Sequence, residues 1–124
     1  MDIDGFEYEV ILSTPSEVLD GFRIIVAEFH FLDKLFDPFV LTFYKASFEK
    51  LLKHFHLVHL HPNNRYGSVK KGDLEVPVLM EMTFYSKRRM TDAKPIQKFP
   101  HPLDRDNWPN RKPLPLPKCW YTGS

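Results

Sequence analysis

Pro95, Pro100, Pro102, Pro109, Pro113, Pro115 and Pro117 crowd the last third of the chain and confine regular structure to what precedes them. Proline fixes φ and lacks an N–H, so this segment can hold neither a helix interior nor a central strand. Residues 91–124 are therefore expected to form an extended Pro-rich tail that packs on the domain or frays from it, and residues 1–90 the domain itself. Trp108, Leu114, Leu116 and Trp120 argue that part of the tail packs.

Upstream, the hydrophobic spacing predicts an α/β order. Met1 to Asp4 reads as a short strand, and Gly5 lets the chain turn into a helix carrying Phe6, Val10 and Ile11 that stops near Thr14-Pro15. A second short turn runs from Ser16, its N-cap candidate, to Asp20 and ends at Gly21. Residues 24–30 are almost continuously apolar, as in a strand covered on both faces. Asp37-Pro38 is an N-cap followed by proline at N1, and Val40, Tyr44, Phe48, Leu51, Leu52 and Phe55 form an apolar stripe behind it. A third strand is expected over residues 56–61, then a polar loop from Pro62 to Glu75. The last strand, Val76 to Lys87, sets Val78, Met80, Met82 and Phe84 on one face and Leu79, Glu81, Thr83 and Tyr85 on the other. Right-handed crossovers would make the first three strands parallel, and the short loop before the fourth permits only a hairpin return. The expected sheet is mixed, with one antiparallel strand at its end.

Composition excludes some functions. The 124 residues fit one domain, and 43% hydrophobic with 15% aromatic content supplies a core. A net charge of +1 gives no global field for nucleic acid or an anionic membrane, and neither is expected as a partner. Cys119, the single cysteine, can form no internal disulfide, in keeping with a reducing compartment. No apolar run approaches the roughly 18 to 20 residues of a membrane span, and the N-terminus is acidic where a signal peptide would be basic. The chain reads as soluble, and cytoplasmic by default.

The chemistry-bearing residues gather at strand ends. In His56-Leu57-Val58-His59-Leu60-His61-Pro62-Asn63-Asn64, a strand would point His59 and His61 to one face, with Asn63 and Asn64 beginning a turn. Polar groups at the ends of apolar strands are where α/β enzymes keep their chemistry. Asn63 and Asn64 could equally be turn residues alone, and Glu81 either a buried hydrogen-bonding partner or an edge residue facing solvent. The aromatic set from Phe29 to Phe48 follows helical periodicity and reads as core.

Four ordered segments then resemble the FkbM-like S-adenosylmethionine-dependent methyltransferases. Asp2-Ile3-Asp4-Gly5-Phe6-Glu7 is similar to that family's D-x-E-G-x-E segment at strand four, with Asp4 in place of the commoner Glu. Glu28-Phe29-His30 resembles its E-x-H ending of strand five, and His59-x-His61-x-Asn63-Asn64 its H-x-H-x-N-N ending of strand six. Val76-Pro77 through Thr83 resembles the v-P-x-x-x-E-x-T seventh strand, and Leu103-Asp104 with Asn107 and Pro109 the L-D-x-x-N-x-P tail. The resemblance covers nearly the whole chain but begins at strand four. The strands that would carry the Gly-rich cofactor loop and the ribose-binding acid are not in this sequence, which has no G-x-G-x-G run.

The resemblance implies the C-terminal half of a partial Rossmann-like methyltransferase, from a truncated gene model, a split gene or a true short form. It would supply the acceptor side of an O-methyltransferase for a small-molecule or glycan hydroxyl, and be inactive alone. The alternative is a non-catalytic degenerate domain or a partner that complements another polypeptide. His59, His30 and His61 are the catalytic candidates, with His30 or His59 the base, because imidazole is a neutral base near physiological pH. Asp2 and Asp4 would shape the S-adenosylmethionine edge, and Glu28, Asn63 and Asn64 would hold substrate. No metal is assigned; the competing use of these groups is a three-ligand site of His59, His61 and a carboxylate. An apolar sheet edge left open at strand four would favour self-association.

Overall fold

Asp37 and Pro38 start the helix on which the domain is built. The computed structural model describes residues 1–96 and 98–122. The Asp37 side chain accepts from the backbone N–H groups of Phe39 (2.8 Å) and Val40 (3.3 Å), capping a helix whose first turn already tolerates proline. This helix, α3 (Pro38–His54), follows two short ones, α1 (Glu7–Ser13) and α2 (Ser16–Asp20), a strand β1 (Ile24–Phe29) and a 3₁₀ turn over Leu32–Phe36. Strands β2 (Phe55–Lys71) and β3 (Leu74–Ser86) complete the domain. Ser16 is the first residue of α2 rather than its cap, a place taken by Pro15.

The fold is α/β with a three-stranded sheet in the order β1-β3-β2, and both pairings are antiparallel. Consequently β1 and β2 run the same way, with β3 reversed between them. The last strand is antiparallel as expected, but it lies at the centre of the sheet and not at its end. Hairpin formation places β3 beside β2, and its other edge then accepts β1. The expected strand over residues 1–4 reduces to one bridge: the Met1 nitrogen donates to the Val26 carbonyl (2.6 Å), and the Glu28 N–H to the Met1 carbonyl (2.9 Å). Nor is β1 covered on both faces, since Ile24 and Val26 are exposed.

The strand β2 does not end at Pro62. It runs on for 17 residues to a turn at Gly72 and Asp73, where Gly72 takes the left-handed φ of 59°. Pro62 pairs with Met80 in the outer strand β2, where a missing N–H can face away from the ladder. Two irregularities shape this strand. One extra residue lies between Leu57 and His59, and three extra between Asn63 and Ser68. The first shifts the alternation, so Leu57 pairs with Phe84 while His59 pairs with Thr83 and His61 with Glu81.

The two faces differ in chemistry. On one, Phe29, Met80, Met82, Phe84 and Leu60 are buried together with Tyr8, Tyr44 and Leu51 from the helices. Tyr8 stacks on Tyr44 with ring centroids 3.8 Å apart, and Phe29 meets Phe48 at 4.8 Å. Such pairs add about 0.5–1.5 kcal/mol each to plain burial. Leu52, expected in the α3 stripe, is exposed. The other face carries the cross-strand rows Val26-Thr83-His59 and Glu28-Glu81-His61. Tail residues contact this polar side, and Leu116 is buried in the core cluster, with Phe99, Trp120 and Tyr121 packed against it. No helix among the described residues is long and apolar enough to cross a membrane.

Replacing Asp37 with Ala should lower unfolding free energy by about 1 kcal/mol, the usual value of a lost N-cap. Urea titration followed by far-UV circular dichroism checks this.

Candidate functional site

His30 sits where β1 stops, and its surroundings are built from the segment before α1. Asp4 (φ 56°) and Gly5 (φ 104°) both adopt left-handed backbone, folding residues 1–6 back over the end of the strand. A side chain at Gly5 would place its Cβ 2.7 Å from the Phe31 ring, so this turn also needs glycine for space. Glu7, fully buried, collects the donors that the turn presents: Oε1 accepts from His30 Nδ1 (2.9 Å), Ile3 N–H (3.0 Å) and Gly5 N–H (3.3 Å). Without such donors an ionised carboxylate would cost several kcal/mol to bury.

This arrangement fixes the imidazole. An ionised Glu7 can only accept, so Nδ1 is the donor in this bond and Nε2 is the ring atom left to face the pocket, as a lone pair in the neutral ring or as an N–H in the imidazolium. The His30 carbonyl is held from the other side by the Tyr8 hydroxyl at 2.7 Å. Burial, with Tyr44 and Glu7 nearby, drives that hydroxyl's pKa far above the phenol range, leaving a neutral donor.

Nε2 points at acid. Asp2 Oδ1 and Glu28 Oε2 lie 3.6 Å away and Asp4 Oδ1 3.7 Å. Glu28 is braced by Asn63, whose Nδ2 donates to Oε1 at 2.6 Å. Burial raises the Glu28 pKa, Asp2 and Glu81 raise it further, and the Asn63 bond and His30 oppose the shift. These groups line a pocket of about 470 Å³ together with Arg65, Tyr66, Glu81, Asn107 and Trp108. Larger hollows of about 550 and 690 Å³ lie along the tail, walled largely by prolines, aromatics and aliphatic side chains. The smaller, polar pocket has the convergent functional groups.

Five expected site residues, His30, Asp2, Asp4, Glu28 and Asn63, are thus brought together. The other three turn to the tail. His59 Nε2 bonds Asp104 Oδ1 at 2.8 Å, and His61 Nε2 bonds the Arg105 carbonyl at 2.9 Å. Asn64 donates to the Trp108 carbonyl (3.0 Å) and accepts from the Trp108 N–H (2.9 Å). Glu81 accepts from Asn107, which makes it the bonded partner of a tail residue and not a solvent-facing edge. A metal set built on His59, His61 and a carboxylate is not formed. Among the described residues, the convergence of metal-type donors is Asp2, Glu28 and His30.

Glu7, Asp104 and Arg65 were not singled out as site residues in the sequence. Glu7 is the last letter of the D-x-D-G-x-E segment, and Asp104 stands in the L-D-x-x-N-x-P tail, so motif position was the available signal. Arg65 has none; its guanidinium reaches the pocket by lying 5.2 Å from the centre of the Trp108 ring.

No family model, curated protein or solved structure matches this chain.

Asp104 clasps the tail. Burial alone would raise its pKa, but the His101 N–H (2.8 Å) and the His59 bond, with His61 beside them, hold it below the usual carboxylate range. A depressed pKa stabilises the fold fully above the unfolded value near pH 4, and this stabilisation is lost as pH falls through the lower folded value. Asp104→Asn should therefore cost about 1 kcal/mol at neutral pH, and less as acid titrates the wild-type carboxylate. Urea midpoints at pH 7 and in acid, followed by tryptophan fluorescence, measure both.

Proposed function

We propose that this chain supplies the acceptor side of an FkbM-like, S-adenosylmethionine-dependent O-methyltransferase, with a small-molecule or glycan hydroxyl as acceptor. The observation that carries this reading is the convergence of His30, Asp2, Asp4, Glu28 and Asn63 at the end of β1, next to a polar pocket. The parallel sense of β1 and β2, with β3 reversed between them, suits a Rossmann-like methyltransferase sheet.

Methyl transfer to oxygen requires an acceptor hydroxyl held in line and relieved of its proton. Of the three candidate imidazoles, His30 has its lone-pair nitrogen facing the pocket, while His59 and His61 are engaged by the tail. We therefore assign the contact with the acceptor hydroxyl to His30. Glu7 fixes its tautomer, Glu28 and Asn63 position polar acceptor groups, and Trp108 offers an apolar wall. Asp2 and Asp4 would border the cofactor edge, but with no Gly-rich loop in the sequence the residues present do not by themselves fit S-adenosylmethionine.

A second reading, a non-catalytic partner that completes another polypeptide, is favoured by one feature. Met1, Val10, Val18, Phe22, Ile24 and Val26 are exposed and line an apolar hollow of about 370 Å³ along the edge of β1. The same edge would support self-association.

Two titrations separate these readings. Calorimetry with S-adenosylmethionine should give no saturable binding to this chain, while ligand-observed NMR with a panel of polyols and monosaccharides should detect contacts that His30→Gln removes. Micromolar S-adenosylmethionine binding would overturn the acceptor-side assignment, and the absence of any hydroxyl ligand would favour the partner reading. Light scattering should find self-association that Val26→Lys abolishes; a monomer in both proteins would remove the open edge as an interface.

A further inference from the structure

We infer that Asp2, Glu28 and His30 form a site for a divalent first-row metal ion, facing the polar pocket. The argument starts from the ring. Its side chain is 10% exposed, Nδ1 is committed to Glu7, and Nε2 makes no hydrogen bond among the described residues. Against that nitrogen stand the Asp2, Glu28 and Asp4 oxygens at 3.6, 3.6 and 3.7 Å. Their mutual repulsion calls for a positive charge among them, either a proton on Nε2 or a cation bound in its place.

The spacing suits a metal. Bonds of about 2.0–2.2 Å separate adjacent ligand atoms by roughly 3 Å in octahedral geometry and by roughly 3.3–3.6 Å in tetrahedral geometry, the spacing nearer to this one. The three donor atoms lie within 4.8 Å of one another, and the two distances from Nε2 match that spacing. The support around them is of the kind metal sites use. Glu7 holds the far nitrogen of the ligating imidazole, and Asn63 holds the second oxygen of Glu28. Across the strands Glu28 also stands directly opposite Glu81, a like-charge pairing that a nearby cation relieves.

The donor set narrows the ion to a divalent first-row metal, with manganese as its probe. Two carboxylate oxygens are hard ligands and argue against copper(I), while an imidazole nitrogen argues against calcium and magnesium. Three protein ligands leave at least one position open toward the pocket, as in catalytic sites. An acceptor hydroxyl entering there would meet the cation, which lowers the pKa of a coordinated hydroxyl and so takes over the polarising task of a free His30. The site itself rests on ring and carboxylate geometry and is independent of the methyl-transfer reading.

The test is calorimetry of the full chain with manganese(II) chloride in a non-chelating buffer, without S-adenosylmethionine or acceptor, with water-proton relaxation as a second readout of immobilised ion. One saturable site is expected, and Asp2→Asn and Glu28→Gln should each weaken it about tenfold or more. Glu81→Gln, which removes a pocket charge outside the ligand set, should change affinity much less. Asp2 is exposed and Gln at 28 keeps an oxygen for Asn63, so unchanged circular dichroism is expected in both ligand variants. No saturable binding up to millimolar manganese would overturn the site. Equal losses from Glu81→Gln and Glu28→Gln would also overturn it, since they would reduce it to diffuse attraction by an acidic pocket.

Discussion

The buried carboxylate of Glu7 is the contact on which the rest of this molecule's chemistry depends. It joins three parts of the chain at one atom: the left-handed turn before α1, the helix itself and the residue after β1. One oxygen takes all three donors, and the other, Oε2, has no partner among the described residues. Burying such a group is costly, and the return is specificity: a fixed tautomer and a fixed ring plane at His30. Gly5 gives the turn its shape, and Tyr8 holds the His30 carbonyl from within the core.

The sheet divides labour by face. One side meets α1 and α3 through aromatic rings and methionines, a packing that needs no polar group to specify it. The reverse side carries acids, imidazoles and carboxamides, and the Pro-rich tail answers them through backbone carbonyls and the Asp104 carboxylate. Prolines suit that role because an extended segment leaves its carbonyls unpaired and loses little entropy when it docks. The tail thus takes two imidazoles out of play and leaves the third facing the pocket.

Local signals made part of this legible. Asp37-Pro38 marked the start of α3, and the alternation through β3 separated the Met80, Met82 and Phe84 face from that of Glu81, Thr83 and Tyr85. The continuation of β2 was hidden because Pro62 and Gly67 look like breakers, yet an outer strand tolerates the proline and a bulge absorbs the glycine. The central position of β3 depends on pairing with a strand more than 40 residues earlier, which no local window contains. For the site, grouping His30 with Asp2, Asp4 and Glu28 was readable from motif order. The capture of His59 by Asp104 was not, since 45 residues separate them and only folding reveals the match.

The extra residue between Leu57 and His59 has an evolutionary consequence. Because Leu57 already pairs with Phe84 and His59 with Thr83, loss of that residue would turn the bulge into a regular ladder and leave every later pairing of β2 unchanged. Loss of a residue within the regular stretch from His59 to Asn63 would instead reverse the faces of the residues beyond it, unless the bulged residue is drawn into the ladder to make up the difference. The extra residue is thus a reserve of length, which lets this strand absorb a deletion that an unbroken ladder could not.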